Sequence, residues 1–144
     1  MSDSLDKALA GLPHGTEFRF VDTVTAMVPG RSGTGRFRVR PEWEFLRGHF
    51  PGEPVLPGVI LVEAIAQLGG VVAQSDPSTP PLPGLRLTAI RAAKILGTAG
   101  PDEVVELEVT VTGRMGALVQ VTGTARVPGR ELARCDVVLS GTLG

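Results

Sequence analysis

The sequence predicts an α+β fold in which a sheet of about six antiparallel strands wraps around one buried helix. One observation is the apolar segment from Pro57 to Gln74, which has the length of a helix that crosses a small domain and is hydrophobic on most sides. The other is the C-terminal half, where apolar and polar residues alternate with a period of two. The 144 residues fit one domain, so we expect a single unit spanning 1–144.

The strands of the C-terminal half are the most regular. Val105, Leu107 and Val109 alternate with glutamates and threonines, which is typical of a strand with one buried and one solvated face. A Pro-Gly-Arg turn at 128–130 separates the last two strands. The strands predicted from such alternation cover residues 17–28, 34–41, 84–96, 103–112, 117–127 and 131–140.

Two other segments frame these strands. Residues 4–12 are predicted as a short helix that ends at Pro13, because proline disfavours a helical conformation in the residue before it. Residues 75–84 contain four prolines and are predicted as a loop that ends the long helix.

Composition excludes several classes of function. The formal net charge of −1 gives no basic surface for nucleic acid. Cys135 is the single cysteine, so no internal disulfide is expected, and His14 and His49 are too far apart in sequence to suggest a metal site. The N-terminus lacks the pattern of a secretory signal, and Glu63 interrupts the longest apolar stretch. We therefore expect a cytoplasmic protein that does not enter the membrane.

The stretch GHFPGEPVLPGVILVEAIAQLGG, residues 48–70, combines features that suggest a reaction site. Pro57 can occupy the first helical position, and neither residue before it has a side-chain oxygen to cap the helix. The free N–H groups near Gly58 and Val59 therefore carry the positive end of the helix dipole and could bind a carbonyl or anionic oxygen.

An acid and a base accompany that helix end. His49 is a candidate general base, and Glu63 is the only ionisable residue between Glu53 and Asp76. Together with an oxyanion site they could remove a proton next to a carbonyl and expel a leaving group. The pattern alone leaves another interpretation open, in which Glu63, Gln67 and Gln74 form the solvated edge of an amphipathic helix and His49 is an ordinary turn residue.

GHFPGEPVLPGVILVEAIAQ closely resembles the signature of β-hydroxyacyl-acyl-carrier-protein dehydratases of the FabZ type, relatives of FabA. The match includes the histidine of HFPG, the PG pair, the glutamate of the VEA run and the AQ that follows; LPH at 12–14 and VD at 21–22 extend it upstream. The resemblance implies the hotdog fold, paired into dimers with continuous sheets and active sites at the dimer interface. It implies that His49 of one subunit is the base and Glu63 of the other the acid. Gly58 and Val59 would bind the thioester carbonyl, and Gln67 would belong to the substrate site and orient the glutamate.

The activity that the resemblance implies is dehydration of (3R)-3-hydroxyacyl thioesters to trans-2-enoyl thioesters. The implied substrate is carried on the phosphopantetheine arm of acyl carrier protein or coenzyme A, with no metal or other cofactor, and the implied assembly is a homodimer or a trimer of dimers. The chain departs from the family pattern at Arg91, where aspartate is expected, and at Ile95, where phenylalanine is expected. The alternatives are a hotdog thioesterase, and a non-catalytic acyl-binding subunit.

Overall fold

The computed structural model describes Leu9, residues 18–48 and residues 55–142. In these residues six strands form one antiparallel sheet in the order β1-β2-β4-β5-β6-β3, which confirms the predicted fold class. Except for Leu9, the predicted helix 4–12 lies outside the described residues. The elements are the helices α1 (Glu44–Gly48) and α2 (Gly58–Gln74) and the strands β1 (Thr23–Val28), β2 (Ser32–Arg38), β3 (Arg86–Ile95), β4 (Val104–Met115), β5 (Leu118–Val127) and β6 (Arg130–Ser140).

The hydrophobic core lies between α2 and one face of the sheet. Helix α2 contacts all six strands, and twelve of its seventeen residues are buried. The alternation that predicts the strands also gives their orientation: Val105, Leu107 and Val109 point inward from β4, and Cys135, Val137 and Leu139 do so from β6. The other face of the sheet carries the charged and hydroxyl side chains of the same strands.

Glycines allow the helix to lie very close to the sheet. A Cβ atom on Gly69 of α2 would lie 2.7 Å from a methyl carbon of Val121 in β5. On the sheet side, a Cβ atom on Gly123 would lie 2.6 Å from Cγ2 of Ile65. Both distances are shorter than carbon atoms tolerate, so the observed separation requires glycine at these two positions.

The C-terminal end of α2 is held by side chains from the sheet and the proline-rich loop. The guanidinium of Arg114 donates to the backbone oxygen of Ala73 at 3.3 Å, to the hydroxyl of Thr79 at 2.9 Å and to the backbone oxygen of Pro80 at 2.7 Å. The side-chain amide of Gln74 binds both the N–H and the C=O of Leu82. These bonds fix residues 75–84, the predicted loop, against the helix end.

The structure differs from the predicted elements in several places. Pro57 is the N-cap of α2, one residue before the first helical position predicted for it. Strand β1 begins at Thr23 rather than at 17. Before it, the N–H of Phe20 donates to the side chain of Gln67, and the side-chain carboxylate of Asp22 accepts from the N–H of Arg38. Helix α1 was not predicted, since five residues are too few to show a helical period.

Substitution of the adjacent glycines of α2 tests the packing. We expect Gly69→Ala to lower the free energy of unfolding by about 1–3 kcal/mol, because its methyl group would overlap the branched side chain of Val121. Gly70→Ala is the matched control: its Cβ atom would meet nothing closer than 3.8 Å, and alanine should stabilise the helix by about 0.5–1 kcal/mol. Chemical denaturation of both variants measures the difference, and equal stabilities would contradict the close approach.

Candidate active site

The N-terminus of α2 presents backbone N–H groups with no side-chain cap. Pro57 has an extended ψ of 136° and contributes no side-chain hydrogen bond to the helix. The N–H groups of Gly58 and Val59 belong to the first turn, where a helix provides no acceptor of its own. The positive end of the helix dipole is thus available to an oxygen atom of a ligand.

A backbone hydrogen bond fixes the chain just before this helix end. The N–H of Leu56 donates to the carbonyl oxygen of Ala99 at 2.8 Å, and both residues are fully buried. Ala99 lies in the connection between β3 and β4, so this connection supports the start of α2. The first N–H groups of the helix are therefore held on a rigid base.

The supporting connection contains a tight turn with a left-handed residue. Asp102 has a φ of 70°, a conformation that costs about 1–2 kcal/mol in a residue other than glycine. Its N–H donates to the carbonyl oxygen of Val39 at 2.7 Å, and its carboxylate pairs with Arg38. The N–H of Val39 in turn donates to the backbone carbonyl oxygen of Glu103 at 2.9 Å. These bonds to the end of β2 hold the turn in place against its conformational cost.

Helix α2 has one line of residues that the core does not bury. Val59, Glu63, Gly70 and Gln74 lie on this line, within a narrow arc of the helix. Val59 is 72% exposed, and Glu63, one turn further along, is half-buried. Glu63 carries the only carboxylate of α2. It is therefore partly accessible on the face that Val59 exposes at the start of the helix.

Gln67 lies beside this line, yet it is only 2% exposed because the segment 18–20 covers it. Its Nε2 donates to the carboxylate of Glu63 at 3.0 Å and to the carbonyl oxygen of Phe18 at 2.9 Å, and its Oε1 accepts from the N–H of Phe20 at 2.8 Å. The N–H of Phe20 can only donate, so it requires the oxygen of the amide and turns the nitrogen towards Glu63. The interpretation of Gln67 as part of a solvated edge is therefore wrong.

An aromatic cluster surrounds the segment that covers Gln67. The ring of Phe20 packs edge-on against four others, at centroid distances between 4.9 and 6.2 Å. The cluster thus joins the segment bonded to Gln67 to helix α1, which ends at the residue before His49 in sequence. Its members are Phe18, Phe20, Phe37, Trp43 and Phe45.

The structure brings together four of the five site residues that the sequence predicts. Gly58 and Val59 precede Glu63 by about one helical turn, and Gln67 follows it by one. His49, the fifth, lies outside the described residues, as does His14. Sequence reasoning did not anticipate the bonds from Gln67 to the backbone of residues 18 and 20, since no side-chain pattern encodes a backbone partner.

Other chemically active groups of the described residues lie away from this site. Cys135 is buried in β6, and this burial, followed by the nearby Asp136, raises the pKa of its thiol to about 11. Such a thiol remains protonated and does not act as a nucleophile. Among residues 18–48 and 55–142, no three His, Cys, Asp or Glu side chains are grouped closely enough to hold a metal ion. None of the helices described there is long and apolar enough to cross a membrane.

A hollow of the outer sheet face is distinct from this site. It has a volume of about 660 Å³ and lies over β4, β5 and β6, where Thr110, Thr122, Arg134 and Asp136 line it. Glu63, Gly58 and Gln67 take no part in it, because they belong to the helix on the opposite side of the sheet. The candidate site lies instead at the start of α2.

Comparison with known proteins identifies the family. A family model described as the FabA-like domain matches residues 12–135. The chain is 32% identical to a 3-hydroxyacyl-acyl-carrier-protein dehydratase FabZ of Syntrophotalea carbinolica over 88% of this chain and 86% of that one. It is 37% identical to the FabZ dehydratase of Nitratidesulfovibrio vulgaris over 91% of this chain and 86% of that one.

Among solved structures, zebrafish thioesterase superfamily member 2 superposes with a TM-score of 0.67 at 15% identity. The superposition covers 96% of this chain and 92% of that one. At that identity the likeness shows the hotdog fold alone. The chain therefore belongs to the FabA-like domain family and is a hotdog protein of the FabZ dehydratase type.

Proposed function

We propose that the protein dehydrates (3R)-3-hydroxyacyl thioesters carried by acyl carrier protein to the trans-2-enoyl thioesters. The observation that carries this proposal concerns the carboxylate of Glu63. It lies on the open line of α2, and the buried side chain of Gln67 donates a hydrogen bond that orients it. Membership in the FabZ dehydratase type supports the same reaction. Elimination of water needs such a group, because hydroxide is a poor leaving group unless an acid protonates it.

The two catalytic residues that we propose have separate roles. His49 takes the proton from C2 of the acyl chain, and the electron pair of that C–H bond forms the C2–C3 double bond. Glu63 gives its proton to the hydroxyl on C3, whose carbon–oxygen bond breaks as water leaves. The protonated His49 and the ionised Glu63 then return to their starting states by proton exchange, so no electron acceptor is required.

The start of α2 supplies the third element of the proposed reaction. As C2 loses its proton, negative charge develops on the thioester oxygen. The N–H groups of Gly58 and Val59 follow a chain that the bond between Leu56 and Ala99 holds in place, so they can donate hydrogen bonds to this oxygen without rearranging. Glycine at 58 also lets the narrow thioester approach the backbone. In this proposal Gln67 belongs to the substrate site only through Glu63, because its own polar atoms are already bonded within the chain.

We propose further that two copies of the chain form a dimer along β3. This strand is at one end of the sheet order, and nearly all of its residues are exposed in the single chain. Ile90 and Ile95 are among its exposed apolar side chains, which an isolated edge strand would normally avoid. In the dimer, His49 of one subunit would face Glu63 of the other. Assembly of three dimers, action in the cytoplasm, and use of a phosphopantetheine-borne substrate without a further cofactor complete the proposal.

Removal of either catalytic side chain tests the reaction. We expect His49→Ala and Glu63→Gln each to lower kcat for enoyl formation from 3-hydroxybutyryl-acyl-carrier-protein by at least about a hundredfold, the scale of positioned acid–base groups. Glu106→Gln, on the exposed face of β4, is the matched control and should keep full activity. Product is measured by ultraviolet absorbance of the conjugated thioester. Unchanged turnover in His49→Ala would refute the assignment, and thiol release without enoyl product would instead identify a thioesterase.

Gln67 is expected to act through Glu63. In Gln67→Leu, we expect kcat to fall at least about tenfold with KM nearly unchanged, because Glu63 loses the donor that orients it. Stability should also fall by about 1–3 kcal/mol, because the Phe20 N–H loses its acceptor.

The control is Gln74→Leu. It also removes an amide that binds backbone groups, those of Leu82, but it lies at the far end of the helix. We expect it to lower stability with kcat preserved. Equal losses of kcat in the two variants, at matched stability and temperature, would show that Gln67 is only a structural residue.

The shared site is tested by mixing two inactive subunits. Heterodimers of His49→Ala and Glu63→Gln chains, purified through two different tags, should recover about half of the wild-type activity, because one of their two sites receives both intact residues. Homodimers of each variant are the controls. If purified heterodimers stay as inactive as the homodimers, each site lies within one chain.

A further inference from the structure

Ile95 packs directly on Gly58, the residue whose N–H begins the proposed thioester site. If Gly58 carried a Cβ atom, the three nearest heavy atoms would all belong to Ile95, at 3.0, 3.1 and 3.3 Å. These atoms are Cγ2, Cγ1 and Cδ1, so the whole outer part of the isoleucine side chain lies over the glycine. Ile95 is thus the side wall of the helix start.

The backbone holds this wall firmly. Ile95 is the last residue of β3 and is paired with Ala133 of β6. The next two N–H groups, of Leu96 and Gly97, both donate to the carbonyl oxygen of Leu132, at 2.7 and 3.1 Å. Because these bonds fix the strand end against β6, the backbone of Ile95 cannot move away from Gly58 without breaking sheet hydrogen bonds.

Ile95 is 47% exposed in the single chain, so its contact with Gly58 leaves part of it uncovered. An oxygen bound to the N–H of Gly58 would lie about 2.9 Å from its nitrogen. For a thioester, the carbonyl carbon bonded to that oxygen would then lie about 3.5–4 Å from the same nitrogen and C2 about 4–5 Å from it, within reach of a side chain that covers Gly58.

We propose that Ile95 determines which substituents a 3-hydroxyacyl thioester can carry on C2. This inference rests on the proposed function, since it takes the thioester oxygen to bind at Gly58. A larger side chain at 95 would occupy the space beside C2 and exclude a branch there, and a smaller one would admit it. Ile95 is in this sense a specificity-determining residue and takes no part in proton transfer.

The test compares two substrates on the same acyl carrier protein, 3-hydroxybutyryl and 2-methyl-3-hydroxybutyryl thioesters, the second as each of its (3R) diastereomers. Both retain a C2 proton and differ by one methyl group. The quantity compared is the ratio of kcat/KM for a branched diastereomer to kcat/KM for the unbranched substrate. We expect Ile95→Phe to lower this ratio about tenfold or more, relative to the wild type, for at least one diastereomer, and Ile95→Ala to raise it. The reason is that one carbon in a packed site changes discrimination by about 10–200-fold.

Leu118→Phe is the matched control, because Leu118 is 45% exposed and lies at the β4–β5 turn, near the C-terminal end of α2. It should leave the ratio unchanged. If Ile95→Phe does not fold, the shift in Ile95→Ala decides alone. A ratio unchanged in the folded Ile95 variants, with dehydration of the unbranched substrate intact, would overturn the role of Ile95 and leave the proposed function standing. A wild type that forms no enoyl product from either substrate would overturn both.

Discussion

The buried side-chain amide of Gln67 is the interaction on which the arrangement of the site depends. It links Glu63 on α2 to the backbone of residues 18 and 20, and it uses its oxygen and its nitrogen for different partners. An amide in the core is costly unless its hydrogen bonds are made, so its orientation is set by the N–H of Phe20. The carboxylate is therefore positioned by the folded chain before any substrate binds. Pre-organisation of this kind places the orientation cost in folding rather than in the reaction.

The same helix satisfies two opposing demands. Its core side must lie close against the sheet, and the glycines at 69 and 123 permit that contact. Its open line must leave Glu63 and the first N–H groups accessible to a substrate. Because the rest of the helix is buried, a substrate can reach it only along this line. The end of β3 and the connection that follows it both serve the second demand, because Ile95 packs on the first residue of the helix and Ala99 holds the chain before it. Site and core thus share a single element, and substitutions in one are expected to be felt in the other.

Much of this architecture could be predicted from local pattern. Alternation along β4, β5 and β6 predicts both the strands and their inward residues, because the two-residue period follows directly from backbone geometry. The helix and its single carboxylate are equally visible in the sequence. What pattern could not predict were contacts between distant segments: Gln67 with the backbone of residue 20, and Ile95 with Gly58. On a helical projection Gln67 lies beside Glu63, so periodicity alone made it a candidate for a solvated edge until the segment that covers it was placed.

In the proposed reaction a 3-hydroxyacyl thioester binds along the open line of α2 with its hydroxyl at Glu63. A crystal structure of the protein with an unreactive amide analogue of 3-hydroxybutyryl-pantetheine tests this binding mode. We expect the C3 hydroxyl within about 2.6–3.2 Å of the Glu63 carboxylate. We also expect the acyl oxygen at the N–H of Gly58 or Val59, C2 beside Ile95, and His49 of the partner subunit facing C2. An analogue bound in the hollow of the outer sheet face, or a dimer in which Glu63 is sealed away from the ligand, would contradict this binding mode.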